Sequence, residues 1–376
     1  MNLFVFGSSL TSTYWNGAAT YYRGIYKNLH KCGHRIIFAE PDIYGRQNHR
    51  DISEIDYADV RIYQTPTDIP RLLSEAAHCD LVIKHSGVGA DDELLEQGVL
   101  ACRSNRTRAL FWDVDAPATL ARLETFPEDP FRRLIPKYDL IFTYGGGQPI
   151  TDHYLRLGAK GCFPIYNALD PDTHHPVPAD PELRCDLAFV GHRLPDRECR
   201  VEEFFLHAAV LTPGMSFILG GEGWGNKTLP ANVRWIGHVG SESHNRVNCS
   251  ARMVLNINRE SMAQVGFSPP TRVFEAAGAG ACVITDFWEG IETFFVPGLE
   301  ILPAASAHDV VKHLRQVGAD DGARIGSAMH RRALREHTYE LRAAHVDAIL
   351  QAAFANWAKS SSQSKATADR EAYSQA

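Results

Sequence analysis

Long apolar runs are missing from this 376-residue chain. None approaches the roughly 18 residues needed to cross a bilayer, so no integral membrane contact is expected. A cationic excess is missing too. Lys and Arg total 38 against 45 Asp and Glu, a net charge of -7, which argues against a broad polyanion-binding surface and against nucleic acid as a partner. The eight cysteines, at 32, 79, 102, 162, 185, 199, 249 and 282, include no C-x-x-C pair, which excludes a zinc knuckle and a thioredoxin-type centre. Scattered thiols of this kind suit a reducing cytoplasm. The N-terminal Met-Asn-Leu-Phe-Val-Phe-Gly has neither a basic flank nor a cleavage site, and it reads as a strand rather than a leader. No G-x-G-x-x-G follows a strand: Gly221 and Gly223 have the right spacing, but position 226 is Asn.

What remains is an ordinary folded composition, 44% hydrophobic and 22% charged, long enough for two separate cores. Apolar runs of strand length stand at 2–6, 36–39, 80–84, 108–112, 139–143 and 162–166. Helix-like segments lie between them at 17–32, 68–77, 91–101, 117–124 and 149–157. This alternation predicts an α/β fold with a parallel sheet covered on both faces, whose ligands bind beyond the carboxyl ends of the strands. From Asn167 to Cys185 the alternation stops in a proline-rich stretch, read as a linker, with His174 and His175 as a solvated pair. It resumes with strands at 186–190, 215–220, 233–236, 253–257 and 281–285, and helices near 196–209, 242–249, 270–279 and 306–316. The expected organisation is a first domain over 1–168, a linker over 169–185, a second domain over 186–335, a helix over 336–358 and a disordered tail over 359–376.

The loops after strands carry the candidate chemistry. The first, Gly7 to Thr20, is small and polar and feeds a helix expected to start at Asn16 or Gly17. Trp15 could stack on a sugar face there. His85 follows the strand ending at Ile83, and Phe111-Trp112-Asp113-Val114-Asp115 closes another. His85 and Asp113 are the candidates for a general base, and Asp115 for an acceptor contact or a helix cap. Gly145, Gly146 and Gly147 form a loop suited to close backbone approach by a ligand. In the second half, Gly191 and Arg197 stand in a strand-to-helix turn and Arg259 ends a strand, both arginines being phosphate candidates.

The most informative segment is Ser268-Pro-Pro-Thr271-Arg272-Val-Phe-Glu275-Ala-Ala-Gly-Ala-Gly. It reads as a short helix that Ser268 can cap, followed by a glycine turn into a buried strand. Arg272 lies in the first turn, where the helix dipole disfavours a cation, and Glu275 lies among Val273, Phe274, Ala276 and Ala277. One reading is an i, i+3 salt bridge on a solvated face. The other is a ligand carrying an anion for Arg272 and a vicinal diol for Glu275.

Four segments resemble the CgeB family of glycosyltransferases, named for a spore maturation protein. They are Trp15-Asn16-Gly17-Ala18-Ala19-Thr20, Asp113 to Leu120, Tyr166 to Pro171 and Ser268 to Ala276. The resemblance implies the GT-B fold, two facing Rossmann-like domains. It also implies transfer of a sugar from a nucleotide-diphosphate donor, UDP-, GDP- or dTDP-linked, to a hydroxyl of a carbohydrate or small molecule, without a metal or other cofactor. Glu275 would take the donor ribose, and Arg272, Arg259, Arg197, Ser268, Thr271 and Gly191 would lie around the diphosphate. Trp15, Asn16, Gly17, Asp115, Gly145 and Gly146 would face the acceptor. Two departures stand out: Ala18 occupies a position where a histidine is expected, and Phe267 occupies one where retaining enzymes often carry a second glutamate. A non-catalytic nucleotide- or carbohydrate-binding partner protein is the alternative, and a homodimer is left open. A phosphorylase is disfavoured because residues 268–286 hold no lysine for a pyridoxal cofactor.

Overall fold

The computed structural model describes residues 1–14 and 16–374, without the side chains of 241, 242 and 359–374. The first half forms β1 (Asn2–Phe6), α1 (Ala19–Lys31), β2 (Arg35–Pro41), β3 (Asp59–Tyr63), α2 (Ile69–Ala76), β4 (Leu81–His85), α3 (Asp92–Ala101), β5 (Arg108–Asp113), α4 (Ala116–Thr125), β6 (Leu140–Thr143), α5 (Gly147–Arg156) and β7 (Cys162–Pro164). These seven strands make one parallel sheet in the order β3-β2-β1-β4-β5-β6-β7. The central strands are apolar on both faces because helices cover both, and β1 is buried from Leu3 to Phe6.

The second half forms β8 (Cys185–Val190), α6 (Pro195–Val201), a π-helical turn at Glu202–His207 leading into α7 (Ala208–Leu211), β9 (Phe217–Gly220), β10 (Val233–Trp235), α8 (Ser241–Ser250), β11 (Ala251–Asn256), α9 (Glu260–Val265), α10 (Thr271–Gly278), β12 (Val283–Asp286), β13 (Leu302–Ala304) and α11 (Ala307–Gln316). Its six parallel strands run β10-β9-β8-β11-β12-β13. Strand order reverses beside β1 in one sheet and beside β8 in the other, and the loops after these strands face the cleft between the halves.

Two strands escaped the sequence reading, and both lie at a sheet edge: β3, half-exposed and alternating, and the three-residue β13, which contains Pro303. The helix of the first loop begins at Ala19, after the expected start at Asn16 or Gly17. The stretch read as a linker is held in place. Leu169 pairs with Thr338, its N–H donates to His337 O at 2.8 Å, and its carbonyl accepts from Tyr339 N at 3.0 Å. His174, expected in solvent, is 1% exposed.

After α12 (Ala319–Glu336) the chain turns into α13 (Tyr339–Ser374), which runs on past the point near 358 where the sequence placed the helix end. This helix returns to the first half. Tyr339, Ala343, Val346 and Leu350 complete the core formed by Tyr21, Tyr22, Ile25, Leu29 and Trp112. Gly24 on α1 is the contact point, since a Cβ there would stand 2.2 Å from the Tyr339 ring.

Candidate functional site

The second domain brings two cations together without a salt-bridge partner among the described residues. Arg272, in the first turn of α10, donates from Nε to Val190 O at 2.5 Å and from Nη1 to Asn256 Oδ1 at 3.2 Å. Arg197, on α6, is buried and donates from Nη2 to His192 O. Both guanidinium carbons lie over the Phe189 ring, at 5.1 and 5.7 Å from its centroid. Gly191 is glycine because a Cβ there would come 2.9 Å from Arg272 Nη2 and 3.1 Å from Arg197 Nη2. Among the described residues neither arginine has a carboxylate within salt-bridge distance, and the solvated Arg272–Glu275 bridge does not form. Burial pushes both guanidinium groups down, Arg197 to about 9, where the charge of Arg272 adds to the effect. Arginine keeps its proton in proteins, so the penalty appears as demand for an anion.

The α10 terminus adds to that demand. Pro270 occupies the N-cap position and no side chain caps the helix. Ser268, expected to cap, donates instead to Gly266 O at 2.9 Å, because Gly266 and Phe267 both adopt left-handed backbone (φ 75° and 46°) and turn the hydroxyl back. The first-turn N–H groups, Thr271 included, have no side-chain acceptor and sit beside the two arginines.

One turn further, Glu275 is 8% exposed. Burial alone would push its carboxyl up, but His244 beside it, then His174 and Arg272, hold it down at about 2. His244 Nδ1 stands 3.5 Å from Glu275 Oε2, and its ring stacks on His174 at 5.9 Å. His192 follows Gly191, its Nδ1 accepting from Glu222 N at 3.1 Å, and burial and His238 push it down to about 4, so it is neutral. Among the described residues, His174, His244 and Glu275 form the one group of three or more such side chains able to hold a metal ion.

Arg259 is placed differently from the expectation of a free phosphate ligand. Its Nη1 donates to Asp115 Oδ2 at 2.6 Å and its Nε to Asp196 Oδ2 at 2.5 Å, so it joins the two domains and its charge is answered. Asp115, expected to face an acceptor, is committed to that bridge. Gly145 and Gly146 are committed as well. A Cβ on Gly145 would stand 2.8 Å from Ser268 Oγ, and Gly146 N donates to Phe267 O at 2.8 Å. This glycine loop therefore receives the other domain, and leaves no space there for a ligand.

Neither candidate base reaches the cleft. Asp113 is fully buried and accepts from Ser86 Oγ at 2.6 Å, Asp115 N at 2.9 Å, Thr119 Oγ1 at 3.2 Å and Tyr154 Oη at 2.5 Å. Strand alternation turns His85 toward α1, where it bonds Tyr26 Oη at 2.5 Å inside a cage of Tyr22, Tyr26 and Trp112, and burial holds it well below its ordinary value. Asn16 accepts from Ser8 Oγ and donates to Ser9 O and Ser12 O, knitting its own loop. Gly17 is exposed and open around its Cα. Trp15 lies outside the described residues.

Apart from Tyr14, which the sequence offers beside Trp15 as a ring to stack on a sugar face, the residues that line the cleft were not among the candidates. Thr13, Tyr14, His49 and Asp51 from the first domain face Glu222, His238 and Gly240 from the second around a cavity of about 550 Å³. Tyr14 stacks on His49 at 4.0 Å, and Arg23 holds Asp51 through two contacts of 2.8 Å. His49 ends a single 3-10 turn (Arg46–His49) rather than a strand, so no periodicity announced it.

Comparison with solved structures places this architecture. HepE from Anabaena in complex with UDP-glucose is 12% identical, with 94% of this chain and 100% of that one aligned and a TM-score of 0.67. Sucrose-phosphate synthase from Thermosynechococcus elongatus is 12% identical over 95% and 100%, with a TM-score of 0.68. AviGT4, a glycosyltransferase of avilamycin A biosynthesis, is 17% identical over 95% and 98%, with a TM-score of 0.61. The chain has the GT-B fold. Residues 197–348, less than half of the chain, match the family model described as glycosyl transferase-like, and with the neighbours this supports a glycosyltransferase family. No curated protein matches in sequence. Among the described residues no helix is long and apolar enough to cross a membrane.

Proposed function

We propose that this protein transfers a sugar from a nucleotide-diphosphate donor to a hydroxyl of a carbohydrate or small-molecule acceptor, in the manner of the CgeB family it resembles. The observation that carries this reading is the pair Arg197 and Arg272, stacked on one phenylalanine and left without a carboxylate beside an uncapped helix terminus. A diphosphate supplies the missing charge in a shape that two planar guanidinium groups can grip. Glu275 stands on the same helix to accept the ribose hydroxyls, and the bound UDP-glucose of HepE favours UDP among the possible nucleotides.

In the chemical step the bond between the sugar's anomeric carbon and the diphosphate oxygen breaks, and the acceptor oxygen bonds that carbon. Negative charge builds on the leaving diphosphate, where Arg197, Arg272 and the α10 N–H groups stabilise it without a divalent ion. The acceptor proton passes to a group on the cleft wall, where His49 and Glu222 are the available bases, Asp51 being held by Arg23. A second reading, nucleotide binding without turnover, is favoured by the inward orientation of both Asp113 and His85.

The test is thermal-shift binding of UDP-, GDP-, dTDP- and CMP-sugars to the wild type and to Glu275→Ala. Stabilisation by one nucleotide class that disappears in the variant is expected, and no shift across the panel would remove the donor site. Donor hydrolysis without acceptor then separates an enzyme from a binder.

A further inference from the structure

His174, His244 and Glu275 come from three separate parts of the fold: the segment joining the two sheets, α8 and α10. Their placement is built. Asn245, next to His244, donates from Nδ2 to Thr173 O at 2.8 Å and fixes the joining segment against α8. Gly278 on α10 admits the backbone of His174, since a Cβ there would stand 2.5 Å from His174 O. One ligand atom from each of the three side chains falls within 4.8 Å of the others.

One polar atom gathered there is unsatisfied: His174 is 1% exposed and its Nε2 has no hydrogen-bond partner, while His244 Nδ1 faces only Glu275 Oε2, at 3.5 Å. A buried imidazole nitrogen left unpaired costs free energy unless something fills the space it faces. Two imidazoles and a carboxylate are the donor set of zinc-type ions, whereas magnesium and calcium take oxygen ligands. At the usual metal–ligand distance of about 2.0–2.2 Å, tetrahedral ligands lie about 3.4 Å apart, so side-chain rotations of about 1 Å would close the site.

We propose that His174, His244 and Glu275 bind one zinc-type divalent ion, and that this ion competes with the nucleotide for Glu275. The competition rests on the ribose role given to Glu275 above, whereas the metal site stands on its own geometry. The ion occupies the ribose end of the pocket, away from the two arginines on the diphosphate, and it therefore inhibits instead of assisting transfer.

The experiment uses the full chain stripped with chelator, then titrated with zinc and counted by elemental mass spectrometry. Cobalt serves as a spectroscopic substitute, because the eight free thiols could otherwise take up metal and a thiolate ligand adds a charge-transfer band. One ion per chain is expected, with a cobalt spectrum free of that band and at least a 100-fold loss of affinity, roughly, in His244→Gln, Glu275→Gln and His174→Asn. Absence of stoichiometric zinc in the wild type, or equal affinity in folded variants, would overturn the site. UDP binding unchanged by saturating zinc would overturn the competition. If the stripped protein binds UDP but no zinc, the metal inference fails and the donor reading stands, and zinc binding without any nucleotide binding has the reverse meaning.

Discussion

The two walls of the cleft treat their charges in opposite ways. On the first domain, Asp51 has a two-point arginine and the Asn16 amide is used up by its own loop. On the second, two arginines have no carboxylate within salt-bridge distance, a helix terminus has no side-chain cap, and His174 Nε2 packed against that domain has no hydrogen-bond partner. A surface whose polar groups satisfy one another is rigid and has little left to offer a ligand. A surface that holds unpaired charge at a free-energy cost is prepared for a specific anion. Under the proposed function, donor recognition falls to the second domain, and the first supplies the shape and shielding of the cleft.

The largest effect should come from removing the unanswered charge. Arg197→Ala with Arg272→Ala should weaken UDP binding about 1,000-fold, as two charge-assisted contacts of about 2 kcal/mol each are lost, while zinc uptake measured in parallel stays intact. Calorimetric titration checks this, and a tenfold change or less would dissolve the contrast between the walls.

Asp113→Asn tests the core behind the opposite wall. Replacing a carboxylate that accepts from four donors should cost about 3 kcal/mol of stability, with UDP affinity unchanged, read by urea unfolding and by titration. A folded variant of normal stability that binds donor and cannot turn it over would restore Asp113 as a base.

Glu96 is a buried, weakly paired carboxylate of the first domain. Burial pushes it up to about 7, with Lys84 3.9 Å away offsetting only part of this. An unfolded glutamate releases its proton near 4.5, so between about 4.5 and 7 the folded chain holds the extra proton. Stability should therefore fall by up to about 3 kcal/mol as pH rises through that window, and Glu96→Gln should flatten the fall. Denaturation series at several pH values would show it.

The smallest effect is expected at Arg259→Gln. Its side chain is a third exposed and so are those of Asp115 and Asp196, so the loss should be under about 1 kcal/mol. The readout is shape: small-angle scattering should show the domains further apart in the absence of nucleotide. An unchanged radius would mean that the Gly146–Phe267 contact holds the domains by itself.

The architecture was legible because alternating strands and helices leave a period in the sequence, and only edge strands such as β3 and β13, too short or too half-exposed, fell below it. The burial of Glu275 and of the Arg272 guanidinium was legible as well, since a charge inside an apolar helix contradicts its neighbours. His85 and Asp113 misled because position at a strand end says nothing about which way a polar side chain finds its partners. Both found them inward, His85 on Tyr26 and Asp113 on Tyr154. The histidine pair was lost for the converse reason. His174 looked solvated among prolines, and the carboxylate that gives it meaning stands on α10, far along the chain.

The return of α13 to α1 bears on how the molecule is born. The core of the first domain is closed by Tyr339, Ala343, Val346 and Leu350, so a ribosome must deliver nearly the whole polypeptide before that domain can seal. During synthesis the ring cluster of Tyr21, Tyr22 and Trp112 waits with one side uncovered, available to chaperones and to unwanted partners. A chain cut before residue 339 would leave a first domain permanently open on that side, and pulse-labelled nascent chains should lose protease sensitivity there only after the last helix has emerged.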